Sequence, residues 1–288
     1  MRMIAFVMAA LVAGSAPTPN RVDPWPVAGA SSAEWESHPA IDPLTGDLWF
    51  VRSSKDFSGW HLMVSRCVAG VRRDAVAAPF AAAGLEADPF FADGGHSLYF
   101  ISTRASGTMA SAGLDIWVAT RRADGSWASP VRLPSPVNSD QTEWFPRPAS
   151  DGWLYFGSRR AGGLGKDDIW RAKHGRSGKW VVENADPGLN SAGAEYELEP
   201  SADGRWGVMS TDSGLVRVEH GVRGWHRAGK LDPSINVNGT EIGPLLSPSG
   251  KSLLYSRDAG NGRSGELFLA HLAPEKSWPT SCPGKATS

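Results

Sequence analysis

The sequence predicts an all-β protein folded as a single β-propeller of five four-stranded blades, with a sixth, degenerate blade as the alternative. Three observations support this prediction. A Glu-x-x-Pro signature occurs five times at blade-length intervals, a two-residue turn follows each copy, and the apolar residues cluster in runs of three to five. No segment longer than a turn shows helical periodicity. Repeated antiparallel meanders of about 50 residues are typical of propeller blades.

The first sixteen residues have the pattern of a signal peptide. Arg2 supplies the positive start, residues 3–12 form an apolar core, and residues 14–16 are small, as at a cleavage site. This core is too short to span a bilayer, and no other stretch approaches about 18 consecutive apolar residues. We therefore predict cleavage near Ala16, a periplasmic or secreted protein, and no transmembrane segment.

The remaining chain divides into an N-terminal segment (17–33), the propeller (34–272) and a C-terminal tail (273–288). A propeller ring must close, because an open edge strand invites aggregation. Residues 24–27, around Trp25, are similar to the fourth-strand segment 126–131, so the N-terminal segment is one candidate for the closing strand of the last blade. Residues 277–279 in the tail are the competing candidate.

The five signatures define the blades. Their glutamates are 50, 57, 54 and 44 residues apart: Glu36/Pro39, Glu86/Pro89, Glu143/Pro146, Glu197/Pro200 and Glu241/Pro244. Each copy is followed by a turn and then an apolar strand; the turns are Thr45-Gly46, Asp93-Gly94, Asp151-Gly152, Asp203-Gly204 and Ser249-Gly250. Asp-Gly between β-prone runs is a strong hairpin signal, because both turn residues tolerate φ > 0.

A connector asparagine precedes three of the glutamates at a fixed spacing: Asn138 to Glu143, Asn190 to Glu195, and Asn236 to Glu241. In the fourth copy this spacing selects Glu195, whereas Glu-x-x-Pro selects Glu197. Both assignments stay open at the level of the sequence.

Three motifs follow one another in the best copies: Asn-Ser-x-x-x-Glu-x-x-Pro, Asp-Gly-x-Leu-Tyr-Phe-x-Ser-x-Arg and Gly-Gly-x-Gly-x-x-Asp-Ile-Trp. Together they resemble the WD-repeat-like β-propeller repeat of TolB-type exported bacterial proteins. The resemblance covers roughly residues 34–270 and is tightest at 86–120 and 138–172. It implies a propeller that binds or scaffolds more often than it catalyses. The chain lacks room for the extra domain and six blades of TolB, so the TolB role does not transfer.

The repeated glutamates are the first candidate binding residues: Glu36, Glu86, Glu143, Glu197 and Glu241. Equivalent positions on successive blades form a ring about the axis, and clustered carboxylates suit cation binding or acid/base chemistry. The alternative is structural, with each carboxylate accepting backbone N–H bonds or pairing with a Ser/Arg corner. The corner arginines are Arg52, Arg104, Arg160 and Arg257. We favour the structural interpretation, because buried charges persist when they are paired.

Tryptophan is abundant, with 13 residues, and most of them fall at repeat positions that predict packing between blades. Trp35, Trp144 and Trp153 are irregular and lie near strand ends, so they are candidates for a binding surface at the rim. Together with the glutamates and Arg104, Arg160 and Arg257, they complete the candidate set at the axial ring or rim.

Several classes of function lack support in the sequence. The formal charge is −1 with interspersed signs, which argues against nucleic acid or an anionic membrane as a partner. The histidines form no zinc-binding spacing, and the glycine-rich loop 162–167 lacks the Gly-Lys-Ser/Thr ending of a phosphate loop, so we predict no metal and no cofactor. Cys67 and Cys282 can form one disulfide in an oxidising compartment; two unpaired thiols are the alternative.

The leading hypothesis is an exported, non-catalytic β-propeller that binds an envelope protein, peptide or glycan through its axial funnel and rim. The alternative is a carbohydrate-active, glycosidase-like enzyme with carboxylates in the funnel. Its candidates are Glu86, Glu143 and Glu241 with Asp115 or Asp168. An acid and a base need different environments, whereas these carboxylates recur in nearly every blade, so a non-enzyme is the preferred prediction.

Overall fold

The computed structural model describes residues 21–106, 113–185, 187–258, 260, 265–275, 278–279 and 282. Its strands form five four-stranded antiparallel sheets, so the all-β, five-bladed propeller is confirmed. Within these ranges the one helical element is a 3₁₀ turn at Asp93–Gly95. The predicted signal peptide, residues 1–16, lies outside the described residues.

The strands follow the repeats in chain order, except that the first strand, β1 (Arg21–Pro24), belongs to the last blade. Blade 1 contains β2 (Trp35–Ile41), β3 (Leu48–Ser53), β4 (His61–Ser65) and β7 (Val76–Ala77), with a side hairpin of β5 (Cys67–Val68) and β6 (Val71–Arg72). Blade 2 contains β8 (Glu86–Ala92), β9 (Ser97–Ser102), β10 (Asp115–Thr120) and β11 (Val131–Arg132).

The next blades repeat the same antiparallel order. Blade 3 contains β12 (Glu143–Pro148), β13 (Leu154–Ser158), β14 (Asp168–His174) and β15 (Trp180–Asn184). Blade 4 contains β16 (Glu195–Pro200), β17 (Trp206–Thr211), β18 (Gly214–Gly221) and β19 (Gly224–Lys230). Blade 5 contains β20 (Ile242–Leu246), β21 (Ser252–Arg257), β22 (Glu266–His271) and β1.

Two links hold the ends of the chain to the ring. Strand β1 pairs with β22, and the Trp25 backbone N–H donates to the Leu267 carbonyl at 2.7 Å, so the N-terminal side completes blade 5. A disulfide joins Cys67 in blade 1 to Cys282 in the C-terminal tail, 215 residues apart in sequence. The chain therefore reaches across the junction of blades 5 and 1 from both ends.

Packing between blades uses the repeated aromatic residues. Trp49 of blade 1 is buried against Phe80 and against Trp127 of the blade 2 segment, with ring centroids 5.8 Å apart in each pair. Trp225 of blade 4 packs edge-on against Tyr155 of blade 3, and its indole N–H donates to the phenol oxygen at 3.2 Å. These large side chains fill the wedges between neighbouring sheets. No helix in the described ranges is long and apolar enough to cross a membrane.

A β-bulge interrupts the innermost strand of every blade. In blades 1, 2, 3 and 5 it falls on the repeated proline and on the residue before it, whereas in blade 4 it falls on Tyr196. In three blades the residue before the proline is a non-glycine residue with positive φ: His38 at 49°, Asp88 at 56° and Phe145 at 47°. In blade 5 it is Gly243, with φ 63°. Non-glycine residues seldom hold this conformation unless the surrounding structure fixes it, and such residues cluster at functional sites.

Candidate functional site

The glutamate at the start of each inner strand caps the connector that precedes it. Glu143 is the clearest case, because its buried carboxylate accepts four hydrogen bonds. Ser139 donates through its backbone N–H at 3.2 Å and its hydroxyl at 2.5 Å, the Ser158 hydroxyl donates at 3.1 Å, and the Arg160 guanidinium donates at 2.8 Å. One side chain thus ties the connector, the inner strand and the Ser/Arg corner together.

The equivalent glutamates of the other blades also accept hydrogen bonds from their connectors, and we call the set the glutamate ring: Glu36, Glu86, Glu143, Glu195 and Glu241. Glu36 accepts from Ser32 and Arg52, and Glu86 from the Ala82 backbone and Arg104. Glu195 accepts from Ser191 and Arg227, and Glu241 from the backbone N–H groups of Val237 and Asn238. Burial raises the pKa of Glu86 and Glu143, although their hydrogen-bond partners oppose the shift.

In the fourth copy the structure selects Glu195 rather than Glu197. Glu195 lies opposite Thr211 in the register of blade 4, as Glu143 lies opposite Ser158 in blade 3. The bulge between Glu195 and Glu197 moves the second glutamate onto the propeller axis. The register thus decides between the two assignments that the sequence left open: Glu195 is the repeat equivalent, and Glu197 lies two residues after it.

The corner arginines serve the blades in two ways. Arg104 pairs with Glu86, and Arg160 pairs with Glu143. Arg257 instead donates to the carbonyls of Ser234 and Ile235 at 3.3 Å, and its guanidinium lies 4.0 Å from the centroid of the Phe268 ring.

The carboxylates of Asp115 and Asp168 also have hydrogen-bond partners. Arg132 donates two hydrogen bonds to Asp115, and two loop N–H groups and the Asn184 amide donate to Asp168.

The repeat position two residues after each ring glutamate meets its equivalents at the axis, and here the blades differ: His38, Asp88, Phe145, Glu197 and Gly243. We call His38, Asp88 and Glu197 the axial triad. His38 Nε2 lies 2.9 Å from Glu197 Oε1 and 3.3 Å from Asp88 Oδ1. Because these residues come from blades 1, 2 and 4, their contacts cross the centre of the ring.

Backbone donors from the remaining blades complete the axial triad. The Phe145 N–H donates to Asp88 Oδ2 at 2.8 Å, and the Gly243 N–H donates to Glu197 Oε2 at 2.8 Å. A Cβ at Gly243 would lie 2.8 Å from the His38 backbone, so blade 5 needs glycine there. Every blade therefore contributes one group at this level of the axis.

The pKa values of the two carboxylates in the axial triad are shifted in opposite directions. Burial raises the pKa of Asp88 above its ordinary value, and the nearby Glu197 charge adds to this shift. For Glu197 burial acts in the same direction, but His38 together with hydrogen bonds from Ser210 and Gly243 outweighs it and lowers the pKa. Burial alone would lower the pKa of His38, yet the charges of Asp88 and Glu197 raise it overall.

A buried ion pair lies next to the axial triad. Arg147 Nε donates to Glu199 Oε2 at 2.6 Å, and both residues are almost completely buried. The Arg147 guanidinium also lies over the rings of Phe145 and Phe90, at 3.4 and 4.5 Å from their centroids. Arg147 is thus paired with Glu199, and its charge also opposes the raised pKa values of His38 and Asp88.

An axial cavity of about 310 Å³ opens above the triad. Its lining combines the triad with aliphatic and aromatic walls and one rim ion pair: His38, Val51, Phe57, Trp60, Ala87, Asp88, Trp144, Arg159, Asp167, Ala194, Tyr196, Glu197 and Ile242. The rim pair joins Arg159 Nε to Asp167 Oδ1 at 2.7 Å. In the described part of the chain, the glutamate ring contributes no residue to this lining.

The three irregular tryptophans occupy different places. Trp144 lines the axial cavity, with its ring centroid 6.0 Å from that of Trp60. Trp35 lies behind this wall and contacts Phe57, at 5.4 Å between centroids. Trp153 lies away from the cavity, where Arg171 and Lys173 stack over its ring. The structure thus joins Trp144 to the axial site and separates Trp153 from it.

Sequence reasoning missed His38, Asp88, Trp60 and Tyr196. A signal for the first two was present, because the residue before the proline of Glu-x-x-Pro differs in chemistry between the copies, whereas the glutamate and the proline repeat. A binding site must break the symmetry of a ring, and this position breaks it. Trp60 carried no comparable signal. Among the described residues, no group of three or more His, Cys, Asp or Glu side chains is arranged to hold a metal ion.

No protein-family model and no curated protein matches the chain. Solved structures do match. A protein assigned as TolB from Agrobacterium tumefaciens is 16% identical, with 78% of this chain and 70% of that chain covered and a TM-score of 0.48. A gluconolactonase from Xanthomonas campestris is 13% identical, with coverages of 88% and 90% and a TM-score of 0.49. A family AA12 carbohydrate-active enzyme from Trichoderma reesei is 10% identical, with coverages of 93% and 100% and a TM-score of 0.48. At such identities these matches carry no conclusion about activity.

Proposed function

We propose that this protein is an exported, non-catalytic binding module and that its ligand occupies the axial cavity. One observation carries the proposal. At the axis, the repeat position that follows each ring glutamate by two residues departs from symmetry and supplies His38, Asp88 and Glu197 to the floor of the cavity. In the glutamate ring, in contrast, four members cap connectors and pair with arginines, namely Glu36, Glu86, Glu143 and Glu195. The fifth, Glu241, accepts backbone N–H bonds on Oε1, and its buried Oε2 has no hydrogen-bond partner among the described residues.

The size of the cavity limits what can enter it. Ligand pockets generally span about 300–1,000 Å³, and the axial cavity of about 310 Å³ is at the small end of that range. It fits one sugar unit, one peptide side chain or a chain terminus. An envelope protein, peptide or glycan would therefore insert a single group while the rim contacts its surroundings.

The experiment is a titration of the purified protein against bacterial envelope peptides and oligosaccharides, followed by tryptophan fluorescence and calorimetry. Trp144→Ala removes one wall of the cavity, and we expect it to weaken binding at least tenfold. Trp153→Ala is the matched control, because Trp153 lies outside the cavity lining. Binding that survives Trp144→Ala, or that is lost equally in both variants, would contradict the proposal.

One observation favours a second function, that of a carbohydrate-active enzyme. Neighbouring carboxylates whose pKa values are pushed apart are typical of acid/base pairs, and burial raises the pKa of Asp88 while His38 and hydrogen bonds lower that of Glu197. His38 Nε2 contacts both carboxylates, however, so neither faces a substrate alone, and binding remains the primary proposal. Hydrolysis of a glycan panel that disappears in both Asp88→Asn and Glu197→Gln would support the enzyme instead.

A further inference from the structure

Carboxylates outnumber cationic side chains in the lining of the axial cavity. Asp88 and Glu197 are buried residues that line the cavity at its floor. His38 is the one cation within the axial triad, and it faces two carboxylates. The other nearby cations are already paired, Arg147 with Glu199 and Arg159 with Asp167. The floor therefore favours a positively charged group and disfavours an anion.

The walls of the cavity are aromatic and aliphatic. Phe57 and Trp60 lie 5.2 Å apart between ring centroids, and Trp144 lies next to Trp60. The Trp60 indole N–H already donates to the Phe57 carbonyl at 2.7 Å. The Tyr196 hydroxyl already donates to the Thr211 carbonyl at 3.1 Å. The Trp144 indole N–H is buried and has no hydrogen-bond partner among the described residues. The walls therefore offer mainly π-faces and aliphatic surface, which attract cations and apolar bodies.

We propose that the axial cavity binds a ligand with a single ammonium group on an apolar body the size of an amino-acid side chain. The ammonium group lies at Asp88 and Glu197, and the body packs between Trp60, Trp144 and Tyr196. This inference rests on the proposed function, since it specifies the group that the axial cavity accepts. Such a group is present in a lysine side chain, a peptide N-terminus or an alkylamine.

Asp88 has the more available carboxylate. Its Oδ1 contact to His38 is 3.3 Å long, and the Phe145 N–H occupies only Oδ2. Glu197 accepts hydrogen bonds on both oxygens, from His38, Ser210 and Gly243. An ammonium group donates three hydrogen bonds and can use the free lone pairs of both carboxylates. Asp88 is accordingly the residue whose neutralisation weakens ligand binding most.

Calorimetry with 2-phenylethylamine and its neutral isostere 2-phenylethanol, on the purified full chain at pH 8, tests the inference. We expect the amine to bind at least tenfold more tightly than the alcohol. Asp88→Asn should reduce amine affinity at least tenfold and leave alcohol affinity within threefold. Glu219→Gln is the control, because Glu219 is 43% exposed on β18 and lies outside the cavity lining, and it should change neither affinity.

Equal affinity for amine and alcohol in the unmodified protein would overturn the inference, and so would an Asp88→Asn variant that binds the amine unchanged. Thermal unfolding shows whether Asp88→Asn folds; if it does not, Glu197→Gln and the comparison of amine with alcohol decide. If neutral glycans or peptides bind in a Trp144-dependent manner while the amine does not, only this inference fails. If nothing in the panel depends on Trp144, the proposed function fails as well.

Discussion

Replacing Glu143 with alanine tests whether the glutamate ring serves the fold or the ligand. The carboxylate is fully buried and accepts hydrogen bonds from Ser139, Ser158 and Arg160. Removing one partner of a buried ion pair costs about 3–5 kcal/mol, and Arg160 would keep its bonds to the carbonyls of Pro136 and Val137 but lose its counter-charge. At about 2–4 °C per kcal/mol for a chain of this size, the melting temperature should fall by roughly 6–20 °C.

The assay is thermal unfolding followed by tryptophan fluorescence, with Glu183→Ala as the matched control. Glu183 also pairs with an arginine, Arg171 at 2.6 Å, but it is 46% exposed. Exposed pairs contribute about 0–1 kcal/mol, so the control should unfold close to the unmodified protein. A Glu143→Ala variant that unfolds like this control, yet loses ligand binding, would refute the structural role of the ring.

Three further predictions concern the axis, the closure of the ring and the blade interface. His38→Gln should destabilise the protein below pH 6.5, and urea unfolding should show the difference shrinking at higher pH, because the raised pKa stabilises only the protonated folded state. Replacing Cys67 and Cys282 by serine should lower the free energy of unfolding by roughly 3–5 kcal/mol, since the link closes a long loop. Gly157→Ala should cost about 1–3 kcal/mol in urea unfolding, because its Cβ would lie 2.4 Å from the backbone of blade 4, whereas Gly221→Ala meets no atom within 4 Å.

The fold was predictable because its signals are local and repeated. Each blade carries its own turn and apolar strands, and five copies in register leave little freedom for another architecture. The fourth blade shows the limit of this reasoning. It has Thr211 and Asp212 in place of the Ser/Arg corner, and the cation for Glu195 comes from Arg227 on the outermost strand. Only the tertiary structure brings these two residues together.

The axial site was less accessible to sequence reasoning because it depends on convergence across the ring. His38 and Glu197 are 159 residues apart in sequence and belong to non-adjacent blades. Because the ring glutamates repeat, they were chosen as candidate binding residues. The residues two positions later do not repeat and were not chosen, apart from Glu197. In blades 1, 2 and 3 the bulge at the axis requires positive φ at His38, Asp88 and Phe145. These residue types do not predict a left-handed backbone conformation.

The central claim is that ligand binding belongs to the positions that break the symmetry of the ring. A crystal structure with the tightest ligand from the peptide, glycan and amine panels tests it most directly. We expect electron density for the ligand in the axial cavity, in contact with Trp144 and ending at Asp88 and Glu197. Density at the glutamate ring, or on the outer surface at Trp153 with the axial cavity empty, would contradict it.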